Sequence, residues 1–440
     1  METDTIFALA SAPGRAGIAV VRISGTRTLT ALKALGCTVP SARMATRAKF
    51  KHPKTGEILD NGLLLAFAAP HSFTGENVAE LHLHGGRAVI DSVLDALSGI
   101  EGVRPAEPGE FSRRAFENDK MDLTEAEAIA DLVDAETRGQ QRQALRQMGG
   151  ALKEMYDHWR HRLVQALAHL EAVIDFPDED LPQDVSDKLW GQVADLSASI
   201  AAHLNDSHRG ERIRSGISIA IIGPPNAGKS SLINMLSQRE AAIVSPTPGT
   251  TRDVIEVHLD LDGYAVTVAD TAGLRDVDDA IEGEGIRRAR ERAEMADLKL
   301  ALFDGATYPA LDAATLALVD QQTIAIINKS DLLSEAPKGA ARFLAISLKT
   351  GFGVEQLLKE LHEAVRALAD SGAAMPLTRV RHRTALEECL AALQRAAVAS
   401  ESELAAEDLR LAARALGRLT GRVDVEEILD AVFRDFCIGK

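Results

Sequence analysis

The sequence predicts a multidomain chain of mixed α/β and α-helical class: an N-terminal α+β domain, then a helical domain into which a doubly wound α/β domain is inserted. Three observations carry this. Up to about residue 118, short apolar runs alternate with turn residues. From Thr124 apolar residues recur at helical spacing. Between Ile217 and about Ala369 strands and helices alternate, and helical spacing then returns. Neither flanking helical set can bury its stripe alone, so the two parts are expected to pack together. The boundaries read as 1–118, 119–213, 214–374 and 375–440. A prior of about 150 residues per domain likewise suggests roughly three domains.

In the first domain IAVVRISG (Ile18–Gly25), GLLLAFAAP (Gly62–Pro70) and VAELHLHGG (Val78–Gly86) read as strands, and AVIDSVLDAL (Ala88–Leu97) as a helix. Glu80, His82 and His84 alternate onto one strand face, where two histidines without a third ligand make a polar face rather than a metal site. Thr124 followed by Glu127 has the spacing of a capping box, which opens a helix. Leu152, Met155, Trp159, Leu163, Leu167, Leu170 and Val173 mark one long amphipathic helix, and Leu189, Val193, Leu196, Ile200 and Leu204 a second. The acidic DFPDEDLP between them has two prolines and no metal-loop spacing, and reads as a solvated turn. Beyond the insertion, Leu386, Leu390 and Leu393, then Leu409, Leu416 and Leu419, then Ile428, Leu429, Val432, Phe433 and Phe436 form stripes expected to pack on residues 124–210.

Composition narrows the class. With 46% hydrophobic and 26% charged residues and no apolar run of about 18, the chain reads as soluble, without a membrane span. METDTIFALASAPGRAG lacks a basic stretch followed by a long apolar run, so a cytoplasmic location is expected. Cys37, Cys389 and Cys437 are odd in number and far apart, against a disulfide framework or a zinc site. A net charge of −16 repels phosphate backbones, so an RNA role needs a local basic patch or a basic partner.

The chemistry begins at ISIAIIGPPNAGKSSLINML, where an apolar strand leads through Asn226, Ala227 and Gly228 to Lys229, Ser230 and Ser231 on a helix. This is a phosphate loop in the context it requires. Its amides and helix N-terminus surround the β-phosphate, Lys229 reaches the β- and γ-phosphates, and the Ser230 hydroxyl ligates magnesium. Asp270, Thr271, Ala272 and Gly273 end the next apolar run, with a carboxylate for magnesium and an amide to sense a γ-phosphate. Asn328, Lys329, Ser330 and Asp331 end TIAIINKSD. Asp331 can accept from the two N–H groups on guanine's edge, which adenine lacks. Ser347, Leu348 and Lys349 supply a loop over the base, and Thr250 and Thr251 stand where GTPases place a switch threonine on magnesium. Four motifs in the right order point to GTP.

Hydrolysis needs groups that Ras-type enzymes do not use here. Leu274 stands where such an enzyme carries its water-orienting glutamine. Asp276, Asp278, Asp279, Glu282 and Glu284 follow, and position alone does not rank them. No arginine finger is identifiable, but Asn226 offers a side-chain oxygen for a monovalent cation. The terminal Cys437, Ile438, Gly439 and Lys440 have the length of a prenylation signal, though Gly439 and Lys440 match its ending poorly.

APGRAGIAVVRISG, GEFSRRAFENDKMDLTEAEAIADLVDAET, GPPNAGKSSLIN, PGTTRDV, DTAGLR, NKSD and the final FCIGK together resemble the MnmE/TrmE family of tRNA-modification GTPases over essentially the whole chain. The resemblance implies a folate-binding and dimerising N-terminal domain and a Ras-like GTPase domain inserted in the helical one. It implies a GTP site that includes Ser245, Pro246, Thr247, Pro248, Gly249, Thr250 and Thr251, and magnesium on Ser230 and Thr251. Potassium would replace the arginine finger, on Asn226, Ser245, Thr247 and Thr250, and Glu282 would orient the water. Arg22, Glu80, Lys120 and Lys440 would hold 5-formyl- or 5,10-methylene-tetrahydrofolate, with Cys437 at the modification site. The family acts with a flavin-dependent MnmG/GidA-type partner that carries FAD, in a hetero-oligomer, on C5 of the wobble uridine of certain tRNAs. It adds an aminomethyl or carboxymethylaminomethyl group. The alternative is a ribosome-assembly GTPase acting as an RNA-binding switch, which usually adds a basic RNA-binding module not seen here.

Overall fold

The computed structural model describes residues 4–175, 183–243, 256–270, 291–333, 343–369, 375–423, 426–434 and 436–439. Its contacts divide it into two compact units: Met1–Ala130 with Leu152–Arg160 and Ala413–Lys440, and Asp131–Ala151 with His161–Ala412.

In chain order the elements begin with β1 (Thr5–Leu9), β2 (Ala19–Ser24), α1 (Thr28–Ala34), β3 (Thr46–Lys51), β4 (Ile58–Phe67), β5 (Val78–Leu83), α2 (Arg87–Ser98), β6 (Val103–Pro105), α3 (Glu110–Glu117) and α4 (Leu123–Val133). The six strands form one sheet in the order β3-β4-β5-β2-β1-β6, antiparallel except for β1 with β6. Alternation along the strands sends Phe7, Val21, Ile23, Leu64, Ala79 and Leu81 into a core shared with Leu32 of α1, Leu35 just beyond it, and Val93 and Leu97 of α2. The opposite positions carry Arg22, Glu80 and His82. β3 has no apolar run to announce it, because TRAKFK is an edge strand whose charged residues discourage pairing with another chain.

The helix at Leu123 opens differently from the sequence expectation. Asp122, not Thr124, is the cap: its Oδ1 accepts from the Glu125 amide at 2.9 Å, and Glu125 returns Oε2 to the Asp122 amide at 2.7 Å. Thr124 lies inside the first turn and donates to Asp122 Oδ1 at 2.8 Å. Two overlapping cap patterns compete in MDLTEAE, and aspartate, at least as strong an N-cap as threonine, takes the position.

The remaining helices and strands are α5 (Arg138–Met148), α6 (Ala151–Asp175), α7 (Gln183–Leu204), α8 (Arg209–Ser215), β7 (Ile217–Ile222), α9 (Lys229–Arg239), β8 (Ala241–Ala242), β9 (Glu256–Leu261), β10 (Tyr264–Asp270), β11 (Leu298–Asp304), α10 (Ala313–Leu316), β12 (Thr323–Asn328), β13 (Leu344–Ala345), α11 (Val354–Ala369), α12 (Val380–Val398), α13 (Ser402–Thr420) and α14 (Glu426–Arg434). β13-β12-β11-β7-β10-β9-β8 form the second sheet, parallel from β13 to β10 and antiparallel beyond. Ile217, Ile219 and Ile221 face Leu232 and Leu236 of α9 and Leu357 and Leu361 of α11, while Ala220 and Ile222 face the other way with Phe303 and Ile327. Both faces are therefore covered, as a doubly wound domain requires.

α12 packs along α7, as expected of the C-terminal stripes. α14 instead packs on α3, and Leu429, Phe433 and Phe436 share a cluster with Phe116, Met121, Leu123 and Ala126. An apolar stripe shows that a helix needs a partner, and not which partner it takes. The acidic Phe176–Pro182 stretch lies outside the described residues. Among the described residues no helix is long and apolar enough to cross a membrane.

Candidate functional site

The phosphate loop leaves the end of β7 and returns into α9. Asn226 has φ 63° and Gly228, the N-cap of α9, has φ 104°, so the loop turns back through left-handed backbone, the conformation from which successive amides can form an anion nest. Lys229 is buried and its Nζ donates to the Gly223 carbonyl at 2.9 Å and the Pro224 carbonyl at 3.0 Å, which centres the ammonium over the loop. Ala227 is buried, whereas Asn226, Ser230 and Ser231 are exposed around it.

Asn328, at the end of β12, ties three motifs together. It is buried, its Nδ2 donates to the Ala227 carbonyl at 2.8 Å, and its Oδ1 accepts from the Leu348 amide at 3.2 Å. Phosphate loop and base loop are thus braced by one amide. Lys329 takes a left-handed turn at φ 58° and pairs with Asp304 Oδ2 at 2.5 Å. Ser347 is buried and donates its hydroxyl to Asp331 Oδ1 at 2.6 Å. That bond holds the Asp331 carboxyl below its ordinary range and keeps it ionised. Asp331 and Lys349 are exposed, so the carboxylate is fixed in direction yet open to a base.

A second cluster of polar side chains lies on the first sheet. Arg22 sits in the middle of β2, opposite Glu80 on β5, and its Nε and Nη2 both donate to Glu80 Oε1, at 3.1 and 2.9 Å. The guanidinium also lies 5.5 Å from the Phe73 ring and 5.8 Å from the Phe111 ring. Glu80 Oε2 is turned towards His82, whose Nε2 is 3.6 Å away. The segment that carries Phe73 is pinned from several sides. Ser24 Oγ bonds Thr74 Oγ1 and Glu76 Oε2 at 2.7 Å each, Asn118 donates to the Thr74 carbonyl at 2.8 Å, and Arg114 meets Glu76 at 3.2 Å. Lys120 is exposed and lays its stem beside Gly75.

The chain end reaches this domain. Ile438 pairs with Pro108, just before the helix that carries Phe111, and Gly439 is buried against Leu9 and Ala10. Cys437 between them and Phe436 is exposed, while Cys37 and Cys389 are buried and their thiols are pushed up to about 11 and about 12. His84 does not join Glu80 and His82: it pairs with Asp60 at 2.8 Å, and no group of three metal-ligating side chains occurs among the described residues.

Ser245–Thr251, Thr271–Gly273, Leu274, the acids from Asp276 to Glu284, and Lys440 lie outside the described residues, as does the side chain of Asp270. Sequence reasoning missed Phe73 and Phe111, the brace of Asn328 and the hydroxyl of Ser347 on Asp331. Only the last has a local signal, in the short serine-led motif; the others join residues that are distant in the chain.

The chain matches the family described as GTP-binding protein TrmE N-terminus over residues 5–120 and the MnmE helical domain over residues 123–437. It is 58% identical over 442 residues to the tRNA modification GTPase MnmE of Paramagnetospirillum magneticum, with 100% of each chain covered. The tRNA modification GTPase MnmE of Rhodospirillum rubrum is 54% identical over 457 residues, again with 100% of each covered. A zebrafish (Danio rerio) protein, the mitochondrial 5-taurinomethyluridine-[tRNA] synthase subunit GTPB3, is 47% identical over 466 residues, covering 99% of this chain and 93% of its own. Matches of this length and identity, over a phosphate loop braced to a guanine-type base loop, make the chain a member of the MnmE/TrmE family of tRNA-modification GTPases.

Proposed function

We propose that this chain is a potassium-dependent GTPase that, with a flavin-dependent MnmG/GidA-type partner carrying FAD, adds an aminomethyl or carboxymethylaminomethyl group to C5 of the wobble uridine, position 34, of certain tRNAs. It works in the cytoplasm as a homodimer joined through residues 1–118, in a hetero-oligomer with that partner. The observation that carries the nucleotide half is the Asn328 brace, which holds the phosphate loop and the loop over the base in one register. Family membership carries the tRNA half, and a relative named for a C5-substituted tRNA uridine supports it.

In this reading Lys229 and the loop amides hold the β- and γ-phosphates, and Asp331 selects guanine. Ser230 and Thr251 would hold magnesium and Asp270 its water. Asn226 fits a monovalent cation, because its left-handed backbone leaves the side chain exposed at the loop. Ser245, Thr247 and Thr250 would complete the shell, and bound potassium would supply positive charge between the β- and γ-phosphates. Glu282 orients the attacking water. On the first sheet Glu80, anchored by Arg22, would accept from a folate's aminopyrimidine edge. Arg22 is already committed to Glu80, so Lys120 and Lys440 are the cations left for the glutamate carboxylates. Bound folate would supply the one-carbon unit.

Two measurements test this. Nucleosides from the tRNA of a deletion strain should lack the C5 substituent at the wobble uridine and regain it on complementation; normal nucleosides in the deletion strain would overturn the tRNA role. GTP hydrolysis should slow by about tenfold or more when sodium replaces potassium, the loss of one stabilising cationic contact. Equal rates in the two salts would remove potassium from the site.

A further inference from the structure

Helix α5, RGQQRQALRQM, carries Arg138, Arg142 and Arg146 at successive i, i+4 positions and no carboxylate. All three are exposed on one face with Gln141, Leu145 and Met148, while Gly139, Gln143, Ala144 and Gln147 are buried on the other. Among the described helices of eight or more residues only α5 and α9 lack an acid, in a chain with 65 acidic and 49 basic residues. In α9 the first cation belongs to the phosphate loop. α5 is therefore a local basic stripe on an acidic protein.

Only Arg146, in the last turn, suits the helix dipole; the rest of the stripe does not help the helix to form. Like charges at i, i+4 repel, and Arg138 occupies the first turn, where the helix dipole disfavours a cation. Stability comes from the other face. Thr137 and Gln140 form a capping box, Gln143 donates to Gln147 at 2.9 Å, and Thr378 donates to Gln147 at 3.1 Å. Arg138 and Arg142 make no hydrogen bond or ion pair among the described residues, and the nearby Asp262 is already paired with Arg366 at 2.9 Å. Their forked donors suit phosphate oxygens, and the amide of Gln141 can add a sugar or phosphate contact.

The helix is also fastened to the nucleotide-sensing part of the fold. The Gly139 amide donates to the Gly263 carbonyl at 2.7 Å, at the tip of the β9–β10 hairpin, and a Cβ on Gly139 would lie only 2.6 Å from that oxygen. Upstream of that hairpin are Thr250 and Thr251; it ends at Asp270.

We propose that the outer face of α5, through Arg138 and Arg142, is this chain's own contact with the phosphate backbone of tRNA. The inference rests on the tRNA reading of function. It is tested with the full-length protein and tRNA from the deletion strain, by measuring affinity against salt concentration. Arg138→Glu with Arg142→Glu should lower tRNA affinity at least about tenfold and flatten the slope of log K against log salt by about 1.5–2, the loss of two phosphate contacts. GTP hydrolysis in potassium should be unchanged. The Arg138→Lys, Arg142→Lys variant should keep most of the affinity and the slope. Unchanged affinity and slope in the glutamate variant overturn the proposal, as does loss of flavoprotein binding with tRNA affinity intact, which assigns the face to a protein. If the wild-type gene fails to restore the wobble substituent, the functional reading itself has failed; if it restores it and the glutamate variant restores it equally with unchanged affinity, only this inference has.

Discussion

Asp331→Asn should exchange guanine for xanthine as the preferred base, lowering GTP affinity on the order of 10²-fold while xanthosine triphosphate comes to bind well. In the proposed base contact the carboxylate accepts from two N–H groups on guanine. An amide turns a donor towards one of them, while xanthine presents a carbonyl there that the new NH2 can satisfy. Sites that enclose such a contact discriminate by about 10⁴–10⁵, and the exposure of Asp331 to water argues for a smaller factor here. The fold should not suffer. The carboxamide oxygen of the variant can still accept from the Ser347 hydroxyl that holds Asp331 at 2.6 Å, so the loop keeps its anchor. Asn328→Ala is the contrasting control. It removes both the donor to Ala227 and the acceptor for Leu348, so both nucleotides should bind worse and the domain should lose about 1–3 kcal/mol. Competition binding with the two triphosphates reads the outcome. Undiminished GTP affinity in Asp331→Asn would remove Asp331 from the base contact.

What the sequence made legible follows from how local each signal is. The phosphate loop and NKSD are short motifs legible from their own residues, and the structure puts the first between β7 and α9 and the second at the end of β12. The alternating apolar strands of the second sheet were readable for the same reason, since every residue from Ile217 to Ile222 declares a face. β3 was not, because an edge strand needs charge. The cap at Asp122 was misplaced by two residues, since a competition between two neighbouring cap patterns is decided by local backbone and not by spacing. The Arg22–Glu80 pair needed the register of β2 on β5, and the rings of Phe73 and Phe111 reach Arg22 from segments that no periodicity connects to it. Nor does a stripe of apolar residues name its partner, which is why α14 on α3 was unforeseen.

The chain end carries the second large effect. Gly439→Val should abolish the tRNA modification while leaving GTP hydrolysis intact, even though Cys437 is still present. Gly439 has φ 103°, a conformation that side chains resist, and a Cβ there would lie 2.3 Å from the Leu9 carbonyl and 3.0 Å from the Ala10 Cα. Backbone atoms cannot give way as a flexible side chain can, so the tail must leave its seat and the Ile438–Pro108 pairing with it. The buried cluster of Phe433, Phe436, Leu429 and Leu123 should keep α14 in place, which confines the damage to the last residues. Cys437→Ser separates docking from thiol chemistry, because serine keeps the tail seated and removes only the sulfur. Alkylation supplies the matching check. Burial pushes the Cys37 and Cys389 thiols up to about 11 and about 12, so brief iodoacetamide treatment of the native protein should add one adduct, at Cys437. Loss of modification in both variants gives the thiol itself a role in the modification. Loss in Gly439→Val alone makes the seated backbone the functional part and the sulfur incidental, and full modification in both removes the tail from the site.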